Sequence, residues 1–125
     1  GDAGRGDHGV AGGGVEAEVV PHVGDCVSAL VRAALGEHAD RVPVSNTKSQ
    51  LGHLMGATAG VELVTTLCAL GHGVIPPNRN LDEPDPRCPL RFVRGEPLKT
   101  PLRHALKNSF AFGGTNCAIV LKQSE

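Results

Sequence analysis

The chain has 125 residues, with 12 basic and 13 acidic side chains and a formal net charge of −1. One domain of ordinary size is the expectation for this length. The balanced charge gives no electrostatic footprint for nucleic acid or for anionic lipid. With only three Phe and neither Trp nor Tyr, the composition also disfavours binding by base stacking.

Four cysteines are widely spaced, without C-x-x-C and without a histidine at ligand spacing: Cys26, Cys68, Cys88 and Cys117. This pattern disfavours both a zinc site and a disulfide framework, so we expect reduced thiols, no metal and no cofactor. Glu62 interrupts the only candidate for a run of about 18 apolar residues, and the N-terminus lacks a signal-peptide pattern. We therefore expect a soluble, intracellular protein that does not enter a membrane, cytoplasmic or, in a eukaryote, organellar.

Residues 1–22 differ in composition from everything that follows. Half of the first fourteen residues are glycine, and no apolar periodicity is present, which predicts a flexible segment. The run Gly12-Gly13-Gly14 lacks the spacing of a phosphate-binding loop. We expect no nucleotide site there and place the folded domain at residues 23–125.

Helices and strands are predicted to alternate after this segment. A helix is predicted from Asp25 to Gly36 and a short strand from Val42 to Val44. A second helix is predicted from about Leu51 to Leu70, where apolar residues surround nearly the whole circumference, so it should be buried on most sides. Three glycines four residues apart suggest close backbone packing along one stripe of it: Gly52, Gly56 and Gly60.

Glycines and prolines then end the helix, at Gly71, Gly73 and Pro76-Pro77. An irregular loop is predicted for residues 78–89 and strands for residues 90–93, 105–110 and 117–121. The last of these is continuously apolar, which is typical of a strand covered on both faces. This order of elements predicts an α/β layer protein.

The segment from Val42 to His53 carries the most informative chemistry. It places Lys48 and His53 five residues apart at the start of a helix that also carries Glu62. The helix N-terminus disfavours imidazolium, which leaves a neutral His53 able to donate a hydrogen bond to developing negative charge. Glu62 could pair with Lys48 if the loop folds back. The alternatives are a structural histidine and a plain ion pair.

A second unusual segment, residues 108–116, places two aromatics beside the pair Gly113-Gly114. Together with Asn46-Thr47-Lys48-Ser49-Gln50-Leu51-Gly52-His53 and Ile75-Pro76-Pro77, it resembles the C-terminal part of the β-ketoacyl-acyl-carrier-protein synthases. The resemblance keeps the family's motif order over roughly 100 residues. It implies a thiolase-like α/β fold, of which this chain would be the C-terminal half only, and an acyltransferase that condenses a malonyl thioester, with decarboxylation, onto an acyl chain held on a cysteine.

Residue roles follow from the resemblance by position. His53 would stabilise the malonyl enolate, Lys48 would be the motif lysine, and Glu62 would pair with it. Phe112 would be the gate residue beside the acyl pocket. The remaining substrate-binding candidates are Phe110, Gly113, Gly114 and Thr47. An acyl carrier protein and, in the intact family, a second copy of the enzyme are the implied partners.

The chain also departs from the family pattern. None of its four cysteines has the small-residue context of the nucleophile, Ala17 stands where the other active-site histidine is expected, and His22 is out of place. We therefore expect this chain alone to be inactive, as the C-terminal region of a fatty-acid or polyketide synthase. The alternatives are a non-catalytic partner subunit of the chain-length-factor kind and an unrelated small α/β binding protein.

Overall fold

A computed structural model describes residues 23–124, so the expectations for residues 1–22, among them Ala17 and His22, lie outside the described residues. Three helices and six strands are described, with two short 3-10 turns. In chain order they are α1 (Val23–Leu35), a 3-10 turn (Gly36–Asp40), β1 (Pro43–Val44), α2 (Lys48–Leu51), a second 3-10 turn (Met55–Ala57), α3 (Thr58–His72), β2 (Val74–Ile75), β3 (Arg91–Phe92), β4 (Leu98–Lys99), β5 (His104–Phe110) and β6 (Asn116–Lys122).

The predicted helix at 25–36 is confirmed as α1, which ends where Gly36 begins the first 3-10 turn. An exposed arginine in its last turn ties it to the following segments. Arg32 donates to Asp40 and to the backbone oxygen of Pro89, both at 2.6 Å. The α1 region is thereby joined to the loop that precedes β3.

The second helix is shorter than predicted, because the backbone breaks twice before it. Gly52 has φ +80° and Met55 has φ +51°, and neither conformation belongs to a right-handed helix. The segment from Lys48 therefore forms the single turn α2, then the 3-10 turn, and α3 begins only at Thr58. A side chain at Gly52, Gly56 or Gly60 would meet nothing within 4 Å, so the predicted close packing along this stripe is absent from the described residues.

The end of α3 agrees with the sequence prediction. Gly73 takes the left-handed conformation with φ +65°, and its backbone N–H bonds to the carbonyl of Ala69. A Cβ at this position would lie 3.0 Å from the carbonyl oxygen of Thr100, whose backbone N–H donates to the carbonyl of Gly73 at 2.9 Å. Glycine is therefore required here both by its φ and by the space.

The strands form three two-stranded sheets. Strands β1 and β3 are parallel, β2 and β4 are antiparallel, and β5 and β6 form an antiparallel hairpin from the pair His104–Lys122 to the pair Phe110–Asn116. The predicted strands at 42–44, 90–93, 105–110 and 117–121 are present with small shifts in their ends. The two-residue strands β2 and β4 were not predicted, because two residues carry no detectable periodicity.

Few apolar side chains are buried. Ala39, Leu70, Ile75 and Val93 form the buried apolar set, whereas Val64 and Leu67 of α3 and Val120 of β6 are exposed. The expectation that α3 is buried on most sides and that the last strand is covered on both faces is therefore wrong for the described chain. The reason is that β6 pairs only with β5 and no described element packs on its outer face. No helix within residues 23–124 is both long and apolar enough to cross a membrane.

Candidate active site

The loop that leads into α2 is held by one buried asparagine. Asn78 accepts a hydrogen bond from the backbone N–H of Asn46 at 2.8 Å and donates to the carbonyls of Val44 and Val93 at 3.0 and 2.9 Å. It thus joins the ends of the parallel strands β1 and β3 to the loop. The Asn46 side chain in turn accepts from the backbone N–H of Lys48 at 2.8 Å. These bonds fix where Lys48 begins α2.

Lys48 and Glu62 form the ion pair that the sequence predicts. The Lys48 ammonium contacts one carboxylate oxygen, Oε1, of Glu62. A second lysine, Lys107 of β5, lies 3.1 Å from the other oxygen, Oε2. Only 6% of the Lys107 side chain is exposed, against 38% for Lys48 and 17% for Glu62. The carboxylate is therefore shared by two ammonium groups from different elements.

The pKa of Glu62 reflects this arrangement. Burial raises it, but hydrogen bonds and positive charge from Lys48 and Lys107 outweigh the burial, so the pKa of Glu62 lies below its ordinary value of 4.5. Glu62 is thus ionised at neutral pH. Two lysines beside one carboxylate leave a net positive charge on this face of α3.

His53 lies between α2 and the 3-10 turn, five residues before α3 rather than at its first residue. Its ring nevertheless reaches the N-terminus of α3, because Nδ1 lies 2.8 Å from the hydroxyl of the buried Thr58. The backbone N–H of Met55 donates to the same nitrogen at 3.1 Å. Since an amide N–H can only donate, Nδ1 is the acceptor and Nε2 carries the proton of the neutral ring.

The left-handed conformation of Met55 belongs to this arrangement. Such a φ costs a residue other than glycine about 1–2 kcal/mol. In this conformation Met55 directs its N–H to His53, while its own side chain is 79% exposed and has little packing to hold it. Strain of this kind is concentrated at functional sites.

The helix spacing places His53 near the ion cluster. Thr58, which contacts the ring, and Glu62 are four residues apart in α3 and so lie on the same face, one turn from each other. Of the three catalytic candidates from the sequence, Lys48 and Glu62 are in direct contact, and His53 is linked to them through Thr58. The structure adds Thr58 and Lys107 to them.

Lys107, Thr58 and Asn78 were not identified from the sequence. Lys107 precedes the Asn108–Asn116 segment and looks like an ordinary strand residue. It stands between Leu106 and Asn108, and this local pattern does not distinguish a buried lysine from an exposed one. Asn78 directly follows two prolines, which marks a turn but not a buried bridge.

The β5–β6 hairpin leaves both of the aromatic side chains near its turn exposed. The backbone N–H of Ala111 bonds to the carbonyl of Thr115 at 2.9 Å, and Gly113 and Gly114 have φ of +85° and +80°. Phe112 is 105% exposed and Phe110 47% exposed. The structure therefore does not bring Phe112 against Lys48, His53 or Glu62.

Thr47 lies next to Lys48 at the start of α2. Its carbonyl accepts from the backbone N–H groups of Gln50 and Leu51, at 3.0 and 2.9 Å, and its side chain makes no capping bond. An open, polar cleft of about 560 Å³ lies beyond it, lined among others by Ser49, Gln50 and Arg79. Lys48, His53 and Glu62 do not line this cleft, and we assign no site to it.

Comparison with known proteins agrees with the resemblance. Residues 23–82 match the family described as beta-ketoacyl synthase, C-terminal domain. The 3-oxoacyl-[acyl-carrier-protein] synthase 2 of Synechocystis is 43% identical over 93 residues, which is 74% of this chain and 22% of that protein. The actinorhodin polyketide putative beta-ketoacyl synthase 1 of Streptomyces coelicolor is 44% identical over 98 residues, 78% of this chain and 21% of that protein.

Solved structures give the same fold. One is a type II polyketide synthase acyl-carrier protein in complex with its ketosynthase bound to the hexaketide, with a TM-score of 0.77 and 29% identity over 80% of this chain and 24% of that one. Another is the ishigamide ketosynthase/chain length factor, with a TM-score of 0.74 and 34% identity over 81% of this chain and 25% of that one. The thiolase-like fold is thereby confirmed for the part of that fold that this chain covers. The chain spans about a fifth to a quarter of the length of the relatives that it matches.

Proposed function

We propose that this chain, whose sequence is that of the C-terminal part of a β-ketoacyl synthase, supplies the Lys48–His53–Glu62 portion of a ketosynthase active site. In this proposal residues 23–125 form the C-terminal domain and residues 1–22 lie outside it. The substrate is a malonyl thioester on an acyl carrier protein, and the acyl donor is a thioester on a cysteine from another part of the enzyme. Either fatty-acid or polyketide synthesis fits, since relatives of both kinds are similar to the chain.

The reaction needs a group that stabilises an enolate. The bond between the malonyl carboxylate and the α-carbon breaks, carbon dioxide leaves, and the electron pair moves toward the thioester oxygen. The α-carbon then forms a bond to the acyl carbonyl carbon, and the cysteine thiolate leaves with its electron pair. A hydrogen-bond donor that faces the thioester oxygen lowers the barrier of the first step.

The hydrogen bond from the backbone N–H of Met55 to His53 is the observation that carries the proposal. The ring Nδ1 accepts this bond, so Nε2 is a donor and not an acceptor. A neutral N–H is the kind of group that an enolate oxygen requires. In this proposal Lys48 and Glu62 do not touch the substrate. Their ion pair keeps the positive charge of Lys48 in place and holds the loop beside His53.

An acyl carrier protein is the proposed partner of this chain. A ketosynthase in complex with its acyl-carrier protein is among the structures similar to this chain. The exposed apolar residues of α3 and β6 are proposed to be covered by other parts of the enzyme, because the chain matches only 22% of the length of the Synechocystis relative. Pairing of two synthase copies, as the resemblance implies, belongs to the same proposal.

A chimera tests this function. Residues 23–124 replace the matching C-terminal part of the Synechocystis synthase, which supplies the rest of the protein, and condensation is measured separately from acyl loading. His53→Ala should lower the condensation rate by on the order of 10²- to 10³-fold and leave acyl loading nearly unchanged, because loading forms no enolate. His72→Ala, a histidine in the last turn of α3 whose Nδ1 lies 2.8 Å from the carbonyl of Cys68, is the matched control and should leave both rates unchanged. Condensation at the full rate in the His53→Ala chimera would contradict the assignment.

The second candidate is a non-catalytic partner subunit. It is favoured by the similarity to the ishigamide ketosynthase/chain length factor. The same chimera separates the two. A folded chimera that loads the acyl group but does not condense it, with residues 23–124 otherwise unaltered, would favour the partner subunit.

A further inference from the structure

In β5 a charged side chain is buried while its apolar neighbour is exposed. Lys107 is buried, with 6% of its side chain exposed, while its neighbour Leu106 is 48% exposed. A charged side chain is rarely buried unless it is paired, so this position needs a reason. Residues 105, 107 and 109 share the strand face that packs toward α3, as period-two alternation requires.

The reason is Glu62. The Lys107 ammonium lies 3.1 Å from Oε2 of Glu62 and also bonds to the hydroxyl of Ser109 on the same strand face. The other carboxylate oxygen is taken by Lys48. A carboxylate held by two cations at two oxygens cannot rotate without breaking one of the pairs.

The cluster therefore joins three parts of the chain. Lys48 begins α2 directly after the loop that Asn78 anchors, Glu62 belongs to α3, and Lys107 belongs to the hairpin whose turn carries Phe112. From Lys107 to Phe112 the hairpin runs five residues, about 17 Å in extended strand. The salt bridge is thus a polar link between the hairpin and the element that positions His53.

We propose that Lys107 is a positioning residue, which locks Glu62 between the motif lysine and the hairpin so that Lys48 and the Phe112 turn keep a fixed relation in the working synthase. This inference rests on the proposed function. Lys107 does not touch the substrate in this role and acts through Glu62. Misplacement of catalytic groups by about 1 Å can cost as much as a hundredfold in rate, which sets the scale of the effect.

The first test uses the 125-residue chain and does not depend on activity. The ¹³C resonance of the Glu62 carboxyl is titrated in the wild type, in Lys107→Met and in Lys122→Met, the latter being an exposed lysine on the partner strand of the same hairpin. The Glu62 pKa should rise in Lys107→Met and stay at the wild-type value in Lys122→Met. An unchanged titration in Lys107→Met would overturn the proposal.

The second test uses the chimera. Lys107→Met should lower kcat for condensation about ten- to hundredfold with a small change in KM. Lys107→Arg keeps the positive charge and should retain most of the wild-type kcat. A purely structural lysine would give the same loss in acyl loading as in condensation, and that result would overturn the proposal. Should Lys107→Met fail to fold, Lys107→Gln carries both measurements. If the His53→Ala chimera condenses normally, the proposed function fails, whereas the Glu62 titration still decides whether Lys107 holds the carboxylate.

Discussion

The loop before α2 and the turn of the β5–β6 hairpin carry the two main sequence motifs, yet they differ in how they are held. The loop is fixed from several sides by Asn78, by Glu62 and by the contact between His53 and Thr58. The turn is fixed only within its own hairpin, and Phe112 stands in solvent. The difference indicates that the proposed enolate-binding part is preorganised by described residues, whereas the proposed acyl-binding residue Phe112 has no packing among residues 23–124.

The largest effect is expected from removing Glu62, which helps to hold the loop before α2. Glu62→Ala should lower the free energy of unfolding by about 3 kcal/mol, because it leaves a buried Lys107 without its carboxylate. The matched control is Asp40→Ala, which removes the exposed partner of Arg32 and should cost less than about 1 kcal/mol. Urea unfolding of the dilute chain, monitored by hydrogen exchange, measures the free energy of unfolding of both variants. Equal costs would show that the cluster behaves as a surface pair.

The pH dependence of the same carboxylate sharpens the comparison. Because the pKa of folded Glu62 lies below its ordinary value of 4.5, its stabilising effect is complete above about pH 4.5 and disappears as the pH falls through the folded pKa. The stability difference between wild type and Glu62→Gln should therefore be constant from pH 6 to 7 and shrink in acid. A difference that persists at low pH would mean that ionisation of Glu62 contributes nothing.

An exposed acid in the 78–89 loop provides the contrast. Hydrogen bonds from Arg87 lower the pKa of Asp85 to about 2, although Asp85 lies on the surface. In Arg87→Ala the pKa of Asp85 should rise toward 3.8, as followed by NMR titration, while the melting temperature barely changes. A large loss of stability would show that this loop is held as firmly as the one before α2.

An effect on stability smaller than that of Glu62→Ala is expected in the turn. Gly114→Ala should cost about 1 kcal/mol of unfolding free energy, since φ of +80° is unfavourable for a residue with a Cβ. Gly60→Ala is the matched control, because Gly60 lies in α3 with open space around it and should stabilise the helix by up to about 1 kcal/mol. Opposite signs in the two variants, measured by thermal unfolding, are the expected result; a stabilising Gly114→Ala would contradict the positive φ.

The smallest effect on stability should come from Phe112→Ala. A fully exposed ring buries nothing in this chain, so the unfolding free energy should change by less than about 0.5 kcal/mol. In the chimera, by contrast, the same substitution should change the use of acyl substrates, if Phe112 lines the acyl pocket there. A large loss of stability in the isolated chain would show that Phe112 packs against it.

Much of the secondary structure could be predicted from the sequence, since α1, α3 and the last two strands follow from apolar spacing and from Gly36, Gly73 and the Gly113-Gly114 pair. The start of α3 could not be predicted, because it depends on the positive φ of Met55. Methionine is not a residue type that indicates the end of a helix. In the site, the motif identified Lys48, His53 and Glu62, and even the pairing of Lys48 with Glu62. The second lysine on Glu62 was missed because it lies 45 residues away along the chain.

The sequence by itself determined which residue types are available for chemistry and where the helices and strands lie, because those depend on local spacing and backbone preference. The tertiary structure decided the rest. It turned Lys107 inward to Glu62, set the protonated nitrogen of His53 through Met55 and Thr58, and left Phe112 and the apolar face of β6 in solvent. Charge pairing, tautomer choice and burial depend on which distant segments meet, and local sequence carries no direct record of those contacts.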